Sequence, residues 1–268
     1  MTARYAERIV CMTEETTETL YALGEDWRIV GISGFTVRPA RARKEKPRVS
    51  AFTSAKIDRI LALEPDLVLG FSDLQADIAA DLVRRGIEVH IFNQRSVPEI
   101  LTMIRMLGGM IGMQQKAETY VAGLESNIDA ARAESRNESR RPRVYFEEWD
   151  APNISGIRWV SELVSIAGGD DCFPELASEP LGKNRIVSDP LEVVRRQPDI
   201  IIGSWCGKKF RANTVAARPG WNDIPAVVRN EIHEVKSALI LQPGPAALTD
   251  GLAELRRIIS AWRERTLE

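Results

Sequence analysis

Three cysteines and two histidines are all that this 268-residue chain holds of the thiol and imidazole groups that bind transition metals most readily. Cys11, Cys172 and Cys206 lie far apart, so they make neither a disulfide framework nor a CxxC metal motif. His90 and His233 are too few for a histidine-rich site, which argues against capture of a bare transition-metal ion. An excess of basic charge is absent too. Lys and Arg number 36 against 38 Asp and Glu, a formal charge of −2, which argues against general binding of nucleic acid or of a membrane surface. The longest apolar-rich stretch, Ile100 to Met113, contains Arg105 and three glycines and is too short to span a bilayer. No glycine-rich phosphate loop of standard spacing occurs, so a nucleotide cofactor is not expected. Met1 to Arg8 leads directly into Ile9-Val10-Cys11 with no apolar leader or cleavage site. As written, the chain is expected in the cytosol with free thiols; a chain whose leader had been removed would belong in the periplasm.

What the sequence does contain, it contains twice. Ile57 to Phe71 reads as a helix, Pro65-Asp66, a short apolar strand, Gly70 and an aromatic residue. Leu191 to Trp205 repeats this with Pro198-Asp199, Ile200 to Ile202, Gly203 and Trp205, at an offset of 199 − 66 = 133 residues. Each half also opens on an apolar strand with an acidic pair, Ile9-Val-Cys before Glu14-Glu15 and Val144-Tyr-Phe before Glu147-Glu148, then a helix stopped by glycine. Ile29 to Ser33 and Val89 to Phe92 are further strands, and Glu231 to Val235 and Ala238 to Leu241 read as late ones. Continuous apolar strands alternating with helices predict an α/β fold with parallel sheets covered on both faces. Between the halves, Ala117, Tyr120, Val121, Leu124, Ile128 and Ala131 repeat at helical spacing from Gln114 to about Arg136. The resulting division is an N-terminal lobe over 1–113, a bridging helix over 114–138 and a C-terminal lobe over 139–268. Leu248 to Arg265 predicts a closing amphipathic helix.

Ligands of open parallel sheets lie beyond the carboxyl ends of the strands, where helix N-termini and loops converge. That rule selects Phe35, Phe52 and Phe71 in the first half and Glu148, Trp149 and Trp205 in the second. Aromatic faces at strand ends suit a flat or conjugated ligand. Phe71 and Trp205 stand out because they occupy matching places in the repeat. Packing accounts equally well for Phe35, Phe52 and Trp149, and at least as well for Trp27, Trp159 and Trp221. Arg38, Arg41, Arg43, Lys44, Lys46 and Arg48 read first as a solvated face, the alternative being a cationic rim that attracts anionic groups. Lys208 and Lys209, close behind Trp205, are candidates for that role in the second half. Glu14 and Glu15 read as charge favourably placed at a helix N-terminus, whereas Glu148 is as well suited to hydrogen-bonding a ligand. Cys206 as a nucleophile would need a base, and neither histidine lies near it in sequence, so the chain does not read as an enzyme.

The ordered set Arg8-Ile-Val, Thr17-Glu-Thr-Leu-Tyr-Ala-Leu-Gly24, Arg28-Ile-Val-Gly-Ile-Ser33, Leu63-Glu-Pro-Asp-Leu-Val-Leu-Gly70, Ala167-Gly-Gly169, Pro198-Asp-Ile-Ile-Ile202, Pro219-Gly-Trp221 and Pro243-Gly-Pro245 resembles the substrate-binding proteins of cobalamin and ferric-siderophore importers over nearly the whole chain. The cobalamin-binding branch is the more similar; Phe52 and Phe71 fall where that branch carries larger, tryptophan-like aromatics. The resemblance implies two Rossmann-like lobes joined by one long α-helix, of the class III periplasmic-binding-protein type, with the ligand in the cleft and little hinge motion. It implies non-catalytic binding of cobalamin or a related corrinoid with no other cofactor required, by a monomer that docks on an ABC permease through acidic residues. A binder of a ferric siderophore or haem, and a cytosolic protein that handles metallocofactors, are the alternatives it leaves.

Overall fold

Short strands alternating with helices set the frame of the computed structural model, which describes residues 5–267. In the first half these are β1 (Ile9–Cys11), α1 (Glu14–Ala22), β2 (Ile29–Ser33), α2 (Ala42–Glu45), β3 (Arg48–Ser50), α3 (Ile57–Leu61), β4 (Leu67–Phe71), α4 (Ala76–Arg84) and β5 (Val89–Phe92). The five strands form one parallel sheet in the order β3-β2-β1-β4-β5. Val10, Met12, Val49, Ile60, Val68 and Leu82 pack as its buried core.

Then come α5 (Val97–Met110), the long α6 (Gln114–Arg136), β6 (Arg143–Asp150), β7 (Asn153–Ser155), α7 (Arg158–Ile166) and β8 (Asp170–Asp171). They are followed by α8 (Pro174–Ala177), α9 (Leu191–Arg196), β9 (Ile200–Gly203), α10 (Ala212–Ala216), α11 (Pro225–Val228), β10 (Ile232–Glu234), α12 (Ser237–Ile240) and α13 (Leu252–Leu267). The second sheet runs β10-β9-β6-β7, with β8 pairing the start of β6. The chain divides into two units. One runs to Gln94 and includes Pro98–Gly123; the other holds Arg95–Val97 and everything from Leu124 onward. The helical stripe read in α6 is real, since Ala117, Val121, Leu124, Ile128 and Ala131 are all buried.

The repeated Pro-Asp motif has a physical cause. Asp66 accepts the backbone N–H groups of Glu7 and Arg8 at 2.7 and 2.9 Å, pinning the entry of β1 beside the entry of β4. Asp199 does the same for the N–H of Arg143 at 2.9 Å, at the entry of β6 beside β9. In each copy the residue just before the proline has left-handed backbone, Glu64 (φ 46°) and Gln197 (φ 47°), and proline then prevents the helix from resuming. Each strand after it carries a glycine that a neighbour overlies. A Cβ on Gly70 would come within 2.6 Å of Gln75 Oε1, and one on Gly203 would enter the Phe210 ring.

Three expectations change. The second sheet is mixed, because β6 extends to Asp150 and folds back as the antiparallel β7 through Ala151-Pro152, a turn-forming pair. Glu147-Glu148 therefore lies inside a strand, and the next helix starts only at Arg158. Ala238 to Leu241 is not a strand; it falls on α12 and its cap, a one-turn helix whose Ile240 is fully buried. The closing helix begins at Leu252, preceded by a single wider turn over Ala247–Gly251.

Candidate functional site

In the first unit the carboxyl ends of β1, β2, β3 and β4 present two kinds of group. Phe35, just past β2, is half exposed at 51%, with its N–H held by Ser33 Oγ at 3.1 Å. Phe52 is partly buried past β3, and Phe71 closes β4 almost wholly buried at 5%. One side chain ties the last two together. Gln75, fully buried, accepts the Phe71 N–H at 3.0 Å and donates to the Phe52 carbonyl at 2.9 Å. Thr36, beside Phe35, is fully buried and its hydroxyl has no hydrogen-bond partner.

Glu14 and Glu15 do occupy the first turn of α1, but both side chains are buried, so they are not surface charges at a helix end. Glu15 accepts from Thr13 Oγ1 at 2.7 Å, and burial pushes its carboxyl up to about 8, so the neutral acid predominates at pH 7. Burial also raises Glu14.

In the second unit the strand alternation of β6 decides who meets whom. Tyr145 and Glu147 share one face and Glu148 takes the other. Glu147, fully buried, is a hub with five donors. Arg218 Nη1 and Nη2 reach its two oxygens at 2.5 and 2.8 Å. Tyr145 Oη, Asn153 Nδ2 and Trp205 Nε1 add bonds of 3.0, 3.1 and 3.1 Å. The bidentate guanidinium is the geometry that best compensates a buried carboxylate. Trp205, 5% exposed, is further held edge-on against Phe210 at 4.9 Å between centroids.

Glu148 pairs instead with Arg185, 2.5 Å away. Burial raises the Glu148 carboxyl, and the Arg185 charge opposes that rise. Trp149 packs half-buried against the same core as Trp205. Between those two indoles stands Lys208, its Nζ 5.5 Å from the Trp149 ring, 5.2 Å from the Trp205 ring and 2.6 Å from Asp150 Oδ2. Lys209 is exposed. Two buried polar atoms beside this group have no partner, Ser204 Oγ and Asp150 Oδ1. Left unpaired, such atoms cost on the order of 1–3 kcal/mol each, so strand ends that keep them are suited to a ligand that supplies the bond.

The structure thus brings Trp149, Trp205 and Lys208 together, and separately links Phe52 to Phe71. Glu148 goes to Arg185, and Phe35 and Lys209 stand in solvent. Sequence reasoning missed Gln75, Asp150, Arg185 and Arg218. Of these only Arg218 had a local cue, its place before the Pro219-Gly220 turn. Trp159 and Trp221 are core residues as expected, but Trp27 is 56% exposed, covered on one face by the Arg28 guanidinium at 4.4 Å. His90 lies edge-on to Phe92 in β5, and His233 pairs with Glu231 at 2.8 Å. Among the described residues no group of three His, Cys, Asp or Glu side chains could hold a metal ion, and no helix is long and apolar enough to cross a membrane.

The fold has known counterparts. A vitamin B12-binding protein of Vibrio campbellii is 25% identical over 240 residues, covering 89% of this chain and 84% of the relative. The periplasmic vitamin B12 binding protein BtuF of Vibrio cholerae superposes with a TM-score of 0.76 at 20% identity, covering 96% of this chain and 98% of that one. The periplasmic heme-binding protein RhuT of Roseiflexus sp. RS-1 superposes with a TM-score of 0.79 at 24% identity, covering 95% and 99%. The periplasmic binding protein family profile matches residues 9–239, and the chain belongs to that family of two-lobed α/β substrate-binding proteins.

Proposed function

We propose that this chain binds cobalamin or a related corrinoid without chemical change and serves as the substrate-binding component of an ABC importer, acting outside the cytoplasmic membrane. The observation that carries the reading is the Trp149–Lys208–Trp205 group, with the unpartnered Ser204 Oγ and Asp150 Oδ1 beside it. Indole surface suits the edge of a large conjugated ring, the lysine suits a phosphate group at its rim, and the Ser204 hydroxyl and Asp150 carboxylate oxygen suit amide groups there. Phe35, with half its surface free, and Phe52 and Phe71, tied by Gln75, offer the equivalent aromatic contacts in the first unit. The named chemistry of the Vibrio campbellii relative supports the corrinoid. Glu148 and Lys209 complete the proposed contacts.

A ferric siderophore or haem is the second reading, favoured by the likeness to the heme-binding protein of Roseiflexus and by the same strand-end aromatics. Calorimetric titration with cyanocobalamin tests the assignment of residues. Trp149→Ala, in a side chain that is only partly buried, is expected to weaken binding by about tenfold or more. Phe35→Ala is expected to weaken it about fivefold. Parent-like affinity in both variants, with parent-like thermal unfolding, would remove these residues from the site.

A further inference from the structure

The basic run after Phe35 is more than a solvated face. A cavity of about 780 Å³ in the first unit is a groove along the edge strand β3, and five cations line it. Arg43 and Lys46 enter from α2 and the residue after it, Arg48 from β3 itself, and Lys56 and Arg59 from the start of α3 on the far side. No carboxylate lines the groove. None of the five cations forms an ion pair among the described residues, although the chain as a whole is slightly acidic at −2. Their neighbours on the same run behave otherwise. Arg38 is engaged by Glu18 at 3.0 Å, and Arg41 by Asp26 at 3.3 Å. Glu45 accepts from the Tyr21 hydroxyl at 2.8 Å, so the nearest acid on α2 is turned to another partner.

Five unpaired like charges around one concavity repel one another, and an anion of several charges relieves that repulsion. Three of the five are guanidiniums, whose forks match phosphate oxygens two at a time. The remaining lining is small or aliphatic (Val49, Ala51, Ala55, Ala62, Leu63), with no aromatic ring on which a nucleobase could stack. We infer that this groove binds an oligophosphate, a molecule or headgroup carrying clustered phosphate groups and no base. The inference is independent of the corrinoid reading, because it rests on cations of the first unit that take no part in that reading.

The test uses the parent protein free of corrinoid, titrated calorimetrically with sodium tripolyphosphate at low and at physiological salt. Vesicles containing cardiolipin, whose headgroup carries two phosphates, are run in parallel with phosphatidylcholine vesicles as control. Arg48→Glu/Arg59→Glu reverses two exposed charges in the groove, and Lys44→Glu reverses an exposed neighbour outside it. Saturable one-to-one binding of tripolyphosphate is expected, weakened several-fold by added salt, about tenfold or more by the double reversal and less than about twofold by Lys44→Glu. Binding to cardiolipin vesicles alone, with the same ranking of variants, would identify a lipid headgroup as the source of the phosphates. No saturable binding to either probe, or equal losses in the double variant and in Lys44→Glu, would overturn the inference. Because no corrinoid is present, failure here leaves cobalamin binding to its own test, and unchanged thermal unfolding of the variants excludes misfolding as the cause of a loss.

Discussion

Replacing Glu15 by glutamine should stabilise the protein, and more so as the pH rises. The side chain is fully buried in the first turn of α1, with Thr13 Oγ1 donating to it at 2.7 Å and the Glu14 and Glu18 carboxyls nearby. Burial, opposed only in part by that hydrogen bond, moves its carboxyl from an ordinary 4.5 to about 8. A raised folded-state value means that the folded chain holds a proton the unfolded chain releases. The protonated acid therefore gives full stability below about pH 4.5, and that stability is lost as the pH rises toward 8. Over the window the slope is about 1.4 kcal/mol per pH unit for one group, so the penalty is on the order of 3 kcal/mol at pH 7 and under about 1 kcal/mol at pH 5. Glutamine keeps the shape and the oxygen that accepts from Thr13 but cannot ionise. Urea unfolding followed by circular dichroism, at pH 5, 6, 7 and 8, reads the difference directly. Glu15→Gln should match the parent at pH 5 within about 1 kcal/mol and exceed it increasingly above pH 6. A smaller decline with pH should persist in the variant, because Glu14 is raised by burial as well. Parallel pH profiles for the two proteins, or a variant less stable than the parent at pH 8, would refute the assignment of a neutral buried acid.

Arg218→Met should destabilise the second unit by about 3–5 kcal/mol, since the fully buried Glu147 would keep only its three neutral donors; urea unfolding at neutral pH measures it. Asp66→Ala and Asp199→Ala should each cost about 1–3 kcal/mol, the former more because Asp66 holds two backbone N–H groups and Asp199 one; the same unfolding assay ranks them.

Much of the frame was legible because its signals are local. A helix, a proline, an aspartate, three apolar residues and a glycine specify a stop and a buried strand in both copies of the motif here. Similar letters did not ensure similar structure elsewhere. Glu14-Glu15 starts a helix whereas Glu147-Glu148 continues a strand, because Asp150-Ala-Pro-Asn153 provides a turn that lets β6 fold back on itself. Ala238 to Leu241 illustrates a known ambiguity: four apolar residues fit a strand or one buried helical turn equally, and only packing decides. At the candidate site, position along the strands selected the aromatic residues, but their partners come from distant sequence. Arg218 lies 71 residues from Glu147, Arg185 lies 37 from Glu148, and Gln75 lies 23 from Phe52. The groove beside β3 was half visible, since Arg43, Lys46 and Arg48 form a run, whereas Lys56 and Arg59 join them only when α3 folds against the sheet edge.

The most direct measurement of the central claim is a calorimetric titration of the parent protein with cyanocobalamin, dicyanocobinamide and haemin in the same buffer. The corrinoid reading predicts saturable one-to-one binding of cyanocobalamin, with cobinamide showing what the nucleotide loop contributes. Saturable binding of haemin, with no heat from either corrinoid, would contradict it.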